Sequence, residues 1–199
     1  MRLFVAVLPP ASAAEELEEA LQGLRDDRLR WTGPAGWHFT LAFLGEVRDE
    51  VLPELHTRLA RAAHRTAPFS LRLRGAGRFG DRALWVGAAG GIDAMRMLSE
   101  RAEAAARRAG VPMGQHHRYT PHLTLGRSRD IRRDHHEQGS GDGLRPYLEG
   151  LASFEGTAWP VTELSLVRSN LPTSGIPGEQ PRYETVAAWP LEGRPEGSG

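Results

Sequence analysis

The sequence predicts an α+β fold built as two related lobes, each with a small sheet and outer helices. Three observations predict it. Two short strands in opposite halves of the 199 residues present the same polar residues in the same order, Trp37-His38-Phe39-Thr40-Leu41-Ala42-Phe43-Leu44 and Tyr119-Thr120-Pro121-His122-Leu123-Thr124-Leu125-Gly126-Arg127. Three other segments carry apolar residues at helical spacing. The order of elements (strand, helix, strand, helix, two strands, helix, strand, two strands) places one motif strand after the first helix and the other after the third. That is a partial repeat.

Strand side chains alternate between faces. His38, Thr40 and Ala42 therefore share one face, opposite Phe39, Leu41 and Phe43; His122, Thr124 and Gly126 share another, opposite Leu123 and Leu125. Two such strands facing each other enclose a polar cleft with two histidines and two threonines. A single His-x-Thr is weak: 8 His and 10 Thr in 199 residues give roughly 0.4 chance occurrences. A third instance, His64-Arg65-Thr66, has no apolar alternation around it and reads as a helix end running into a loop. A lone strand histidine is most often a half-buried residue bonded to neighbouring backbone. The matched pair, each set in an alternating strand and followed by a small residue, favours function.

The remaining elements follow in order. Leu3 to Leu8 is a continuously apolar, central strand. Ser12-Ala13-Ala14-Glu15 reads as a capping box opening a helix with Ala14, Leu17, Leu21 and Leu24 on one stripe. Trp31 to Gly36 is a Gly- and Pro-containing loop. After Gly45 a second helix carries Val51, Leu55, Leu59 and Ala62, with Pro53 tolerated only in its first turn. Phe69 to Arg74 and Ala83 to Val86 read as strands. Between them Gly75-Ala76-Gly77-Arg78-Phe79-Gly80 spells G-x-G-x-x-G, but a strand follows where a dinucleotide site needs a helix, so these glycines predict a hairpin. The third helix has Ile92, Met95, Leu98, Ala102, Ala105 and Ala109 on its stripe, and Gly110 and Pro112 end it. Arg129 to Gly143 reads as a mobile surface loop, Leu144 to Phe154 as a short helix, and Val161 to Arg168 and Tyr183 to Leu191 as strands. One domain is predicted over 1–191, with 192–199 a flexible tail.

Net charge is zero, so no global basic field exists to hold nucleic acid and any such contact must be local. All 25 basic residues are Arg, which in a chain rich in Ala, Gly and Pro reflects coding bias before function. Zero cysteines exclude disulfides, thiolate metal sites and a cysteine nucleophile. The apolar run at Leu3 to Leu8 ends in Pro9-Pro10, too short for a signal-peptide core. With no stretch resembling a membrane span, the expected setting is the cytoplasm.

The tandem His-x-Thr-x signature resembles the 2H phosphoesterases, and more narrowly the RNA 2′,3′-cyclic phosphodiesterases, historically called 2′-5′ RNA ligases. The resemblance takes in Met1 to Val7, Trp37 to Val47, Arg118 to Arg127 and Glu163 to Ser169, in the expected order. It implies a bilobal α+β fold with mainly antiparallel sheets and a cleft between the lobes. It implies, as substrate, RNA ending in a 2′,3′-cyclic phosphate, with tRNA fragments among the candidates, and a monomer without a membrane partner. It also implies that His38 is the proton donor to the departing ribose 3′ oxygen and His122 the proton acceptor from water, leaving a 2′-phosphate; reversal would join RNA ends through a 2′-5′ linkage.

The chemistry suits these residues. A histidine's ordinary pKa near 6.5 serves either proton-transfer role at neutral pH, and Thr40 and Thr124 can donate hydrogen bonds to non-bridging phosphate oxygens. Strand symmetry alone does not say which histidine is acid. No metal or other cofactor is required. Tyr119 is a candidate to stack on a base, with core packing equally expected. Arg127 is a candidate phosphate ligand whose parity nevertheless places it on the face away from His122 unless the strand bends. Arg118 and Arg168 are candidates for the cleft rim. Competing readings are a metal site built from His116, His117, His122, His135 and His136, a non-catalytic RNA-binding module, and an enzyme for small 2′,3′-cyclic nucleotides.

Overall fold

A computed structural model describes residues 1–115, 118–129 and 143–195. The elements run β1 (Arg2–Val7), α1 (Ala11–Leu21), β2 (Leu29–Trp31), β3 (Phe39–Glu46), α2 (Leu52–His64), β4 (Phe69–Phe79), β5 (Ala83–Gly90), α3 (Ile92–Ala109), β6 (Leu123–Ser128), α4 (Arg145–Leu151), β7 (Trp159–Val161), β8 (Glu163–Asn170) and β9 (Arg182–Pro190). The α+β class is as expected. The helix at Leu52 accepts Pro53 in its first turn, and α3 ends where Gly110 turns left-handed at φ 95°, letting the Val111 N–H reach the Ala106 carbonyl at 3.0 Å.

Two local expectations are corrected. The capping box does not form. Pro10 caps α1 without a side-chain bond and Ser12 lies inside the helix, because the Ala14 N–H already bonds the Pro10 carbonyl at 3.1 Å. The strand expected to end at Arg74 continues to Phe79, so Gly75 and Gly77 sit inside β4 and the hairpin turn falls after Phe79. The C-terminal segment is docked through residue 193: the Glu192 and Gly193 N–H groups bond the Ala63 and Thr66 carbonyls, and a Cβ on Gly193 would lie 2.6 Å from backbone of Arg65 and Ala67. The predicted mobile loop lies, between its two end residues, outside the described residues.

The strands form one sheet in the order β7-β4-β5-β6-β3-β1-β8-β9, with β2 on β6 and every pairing antiparallel. The two small sheets expected are therefore joined edge to edge. The halves, β3-β1-β8-β9 and β6-β5-β4-β7, join in a single registered pair, Phe39 opposite Leu123, both fully buried. The helices cross over: α1 follows β1 but packs on β4 beside α4, while α3 follows β5 but packs on β3 beside α2. Each half thus lends one helix to the other's strands, while α2 and α4 pack within their own halves, and a shared core of Leu, Val and Ala side chains holds the junction.

The two motif strands carry matching irregularities. Pairing of β3 with β1 skips Leu41, and pairing of β6 with β5 skips Leu125. A bulge takes a carbonyl out of the ladder and reverses the facing of the residues beyond it. Both carbonyls are satisfied: Ser99 Oγ, buried on α3, donates to Leu41 O at 2.7 Å, and Thr32 N donates to Leu125 O at 2.8 Å.

Candidate active site

The residues just before and within the start of β3 and β6 meet in a cleft of about 340 Å³, lined by His38, Thr40, His122 and Thr124. Trp37, buried in the core, bonds its Nε1 to the Thr32 carbonyl at 2.9 Å and pins the loop that delivers His38. Each imidazole is held the same way: His38 Nδ1 lies 2.8 Å from the Gly36 carbonyl and His122 Nδ1 2.8 Å from the Thr120 carbonyl. An Nδ1–H donated to a carbonyl leaves Nε2 as the nitrogen available to a ligand.

Aromatic rings fix both histidines. Phe4 lies 4.5 Å from the His38 ring at a 32° tilt, and Tyr183 meets it edge-on at 5.1 Å. On the other side Phe79 meets His122 edge-on at 4.7 Å, with Trp85 6.0 Å away. Gly77, paired with Trp85 across the hairpin, makes room for that indole: a Cβ there would lie 2.2 Å from it.

The bulges decide who else enters the cleft. Beyond the skipped leucines, Ala42 and Gly126 turn to the core side, where a Cβ on Gly126 would sit 3.2 Å from the Arg30 carbonyl, so the room they leave is not in the cleft. Phe43 and Arg127 occupy matching positions and both line the cleft. The parity expectation for Arg127 is thereby reversed, through the one exception it allowed: the strand bends. Arg2 also lines the cleft, its guanidinium 5.0 Å from the Phe43 ring. Among the described residues the lining holds two arginines, two histidines and no carboxylate, a locally cationic site in a chain of zero net charge.

Other expected residues fall elsewhere. Tyr119 packs on the core and is not part of the cleft lining; burial pushes its phenol above the ordinary range, and its Oη has no hydrogen-bond partner. Arg118 and Arg168 are exposed, and neither lines the cleft. Among the described residues no three or more His, Asp or Glu side chains group to hold a metal, and His116, His117, His135 and His136 lie outside those residues. Sequence reasoning missed Arg2, Phe4, Phe43 and Tyr183. Phe4 faces the cleft from a strand that is buried on both faces, where alternation leaves no mark.

Burial, and secondarily the neighbouring His122, hold His38 below its ordinary 6.5, against the Gly36 carbonyl, which raises it. The fold therefore prefers neutral His38, and the unfolded chain binds that proton more readily. Its contribution to stability is fully present above pH 6.5 and is lost as pH falls from there through the lower folded value. Denaturant titrations across that window are expected to show this loss in the wild type and its absence in His38→Gln.

A single antiparallel sheet that turns two His-x-Thr strands toward one cationic cleft is the arrangement of a 2H-type phosphoesterase. The chain belongs to the 2′-5′ RNA ligase superfamily, whose family model matches residues 8–172. It is 32% identical over 208 residues to a Thermus thermophilus protein named RNA 2′,3′-cyclic phosphodiesterase, covering 97% of this chain and 91% of that one. A Geobacillus stearothermophilus protein of the same name is 31% identical over 201 residues; there the chain is covered to 98% but spans only 58% of the relative. Among solved structures, TT0787 of Thermus thermophilus superposes with a TM-score of 0.74 at 28% identity, over 97% of this chain and 99% of that one. Apo LigT of E. coli shares the fold, with a TM-score of 0.72 at 24% identity over 96% of each chain.

Proposed function

We propose that this protein hydrolyses the terminal 2′,3′-cyclic phosphate of RNA to a 2′-phosphate by two-histidine acid-base catalysis. The observation that carries this reading is the paired tethering of His38 and His122, each through Nδ1 to a carbonyl two residues upstream, on strands that meet at the Phe39–Leu123 pair. His122 Nε2 takes a proton from water as its oxygen attacks phosphorus. The bond from phosphorus to the ribose 3′ oxygen breaks, and His38 Nε2 delivers a proton to that oxygen. Burial favours neutral His38 in the free protein, and the anionic phosphodiester beside it supplies the charge that favours its protonated, donor form. Thr40 and Thr124 donate to the non-bridging oxygens, with Arg2 and Arg127 balancing their charge.

Phe43 is 53% exposed and Leu171 53% exposed at the cleft, large apolar surfaces suited to unstacked bases. They favour an RNA end over a small cyclic nucleotide, in the setting of a cytoplasmic monomer. No described helix is long and apolar enough to cross a membrane. Incubation of an RNA oligomer ending in a 2′,3′-cyclic phosphate is expected to yield a 2′-phosphate end, at a higher kcat/KM than 2′,3′-cyclic AMP. A 3′-phosphate product, or faster turnover of the mononucleotide, would defeat the reading.

A further inference from the structure

A second cavity, of the same volume of about 340 Å³, lies between α2 and α3 and shares no lining residue with the cleft. Five arginines and His64 surround its alanine floor. The third His-x-Thr of the sequence is found here, and its threonine is structural: buried Thr66 donates to the Ala62 carbonyl at 2.8 Å and accepts from Arg101 Nη1 at 2.9 Å.

Closing the end of α2 explains only part of this cluster. Arg101 Nη1 also donates to the Arg65 carbonyl at 2.9 Å, and Arg65 Nε leans on the Arg61 carbonyl at 3.4 Å. Glu54 pairs with Arg58 at 2.7 Å and Glu192 with His64 at 2.8 Å. Among the described residues these are the carboxylates paired with the cavity's basic groups. Arg61 and Arg108 have no such partner, and Arg58 Nε is buried with no hydrogen bond at all. Five guanidiniums with two carboxylates paired at their margin repel one another, and a bound anion would relieve that repulsion and pair with Arg61 and Arg108. The planar guanidinium fork matches phosphate oxygens two at a time.

We propose that this cavity binds a phosphate-rich anion, meaning adjacent phosphate groups carried either by a free oligophosphate or by an RNA backbone. The assignment stands whether or not the cleft is a phosphodiesterase site.

Calorimetric titrations at low salt, in an Arg2→Ala/Arg127→Ala background that weakens anion binding in the cleft, test it with two probes. These are tripolyphosphate and a single-stranded RNA ending in a 3′-hydroxyl. Adding Arg61→Ala and Arg108→Ala is expected to weaken binding of at least one probe by about tenfold or more, and added salt to weaken it further. Loss for tripolyphosphate assigns the free anion, and loss for RNA alone assigns the backbone. Arg61→Lys/Arg108→Lys is expected to recover part of the affinity, separating charge from folding. Turnover of a minimal cyclic-phosphate dinucleotide by Arg61→Ala/Arg108→Ala in the otherwise wild-type chain is expected to be unchanged. Unchanged binding of both probes, or no binding before the two arginines are removed, would overturn the assignment.

Discussion

Replacing His38 or His122 by alanine is expected to lower kcat on a cyclic-phosphate RNA end by roughly 10²- to 10⁴-fold each. Removing both is expected to cost little more than removing one, because acid and base act in the same bond-breaking event and their effects do not add. Folding should survive in both variants. Each histidine lies at the edge of its strand in a partly open cleft, and each tether is one hydrogen bond to backbone. Far-UV circular dichroism and urea midpoints check the fold, and single-turnover kinetics check the chemistry. A single variant retaining near wild-type turnover would show that its histidine is a packed strand residue and nothing more.

Phe39→Ala is expected to be the most damaging core substitution, lowering stability by about 3–5 kcal/mol. In a domain stable by about 5–15 kcal/mol that is a large share. Phe39 is fully buried and forms the registered pair joining the two half-sheets, next to His38 and across from Leu123, next to His122. Its loss should therefore loosen the spacing of the two imidazoles as well as the core. Leu59→Ala provides the control, since Leu59 is equally buried on α2. Both variants should unfold at lower urea, but only Phe39→Ala should lose kcat per folded molecule. Equal activity of the two folded variants would place the sheet junction outside catalysis.

Much of this molecule was legible in its residues. The tandem His-x-Thr strands, the rejection of the glycine-rich segment as a nucleotide loop and the stripe and C-cap of α3 all rest on local periodicity or turn chemistry, which neighbouring residues decide. The misplacements share a cause. Alternation assumes an unbroken ladder, and the skips at Leu41 and Leu125 leave no mark in composition; they moved Ala42 and Gly126 out of the cleft and brought Phe43 and Arg127 in. Their stabilising bonds come from Ser99 and Thr32, residues distant in sequence or in another element. The continuity of the sheet, likewise, depends on one pair between residues 39 and 123, and the helix crossover on packing between halves. Such long-range choices are set by burial across the whole chain rather than by any window of it.

In the proposed reaction two histidines, with no metal, carry the proton transfers. The pH dependence of kcat/KM on a cyclic-phosphate RNA end, measured in excess EDTA, tests it most directly. Full activity in chelator and a bell-shaped profile are expected, with one limb for the group that must be neutral and one for the group that must be charged. Loss of activity in EDTA that a divalent cation restores, or a profile with only one limb, would contradict that reaction.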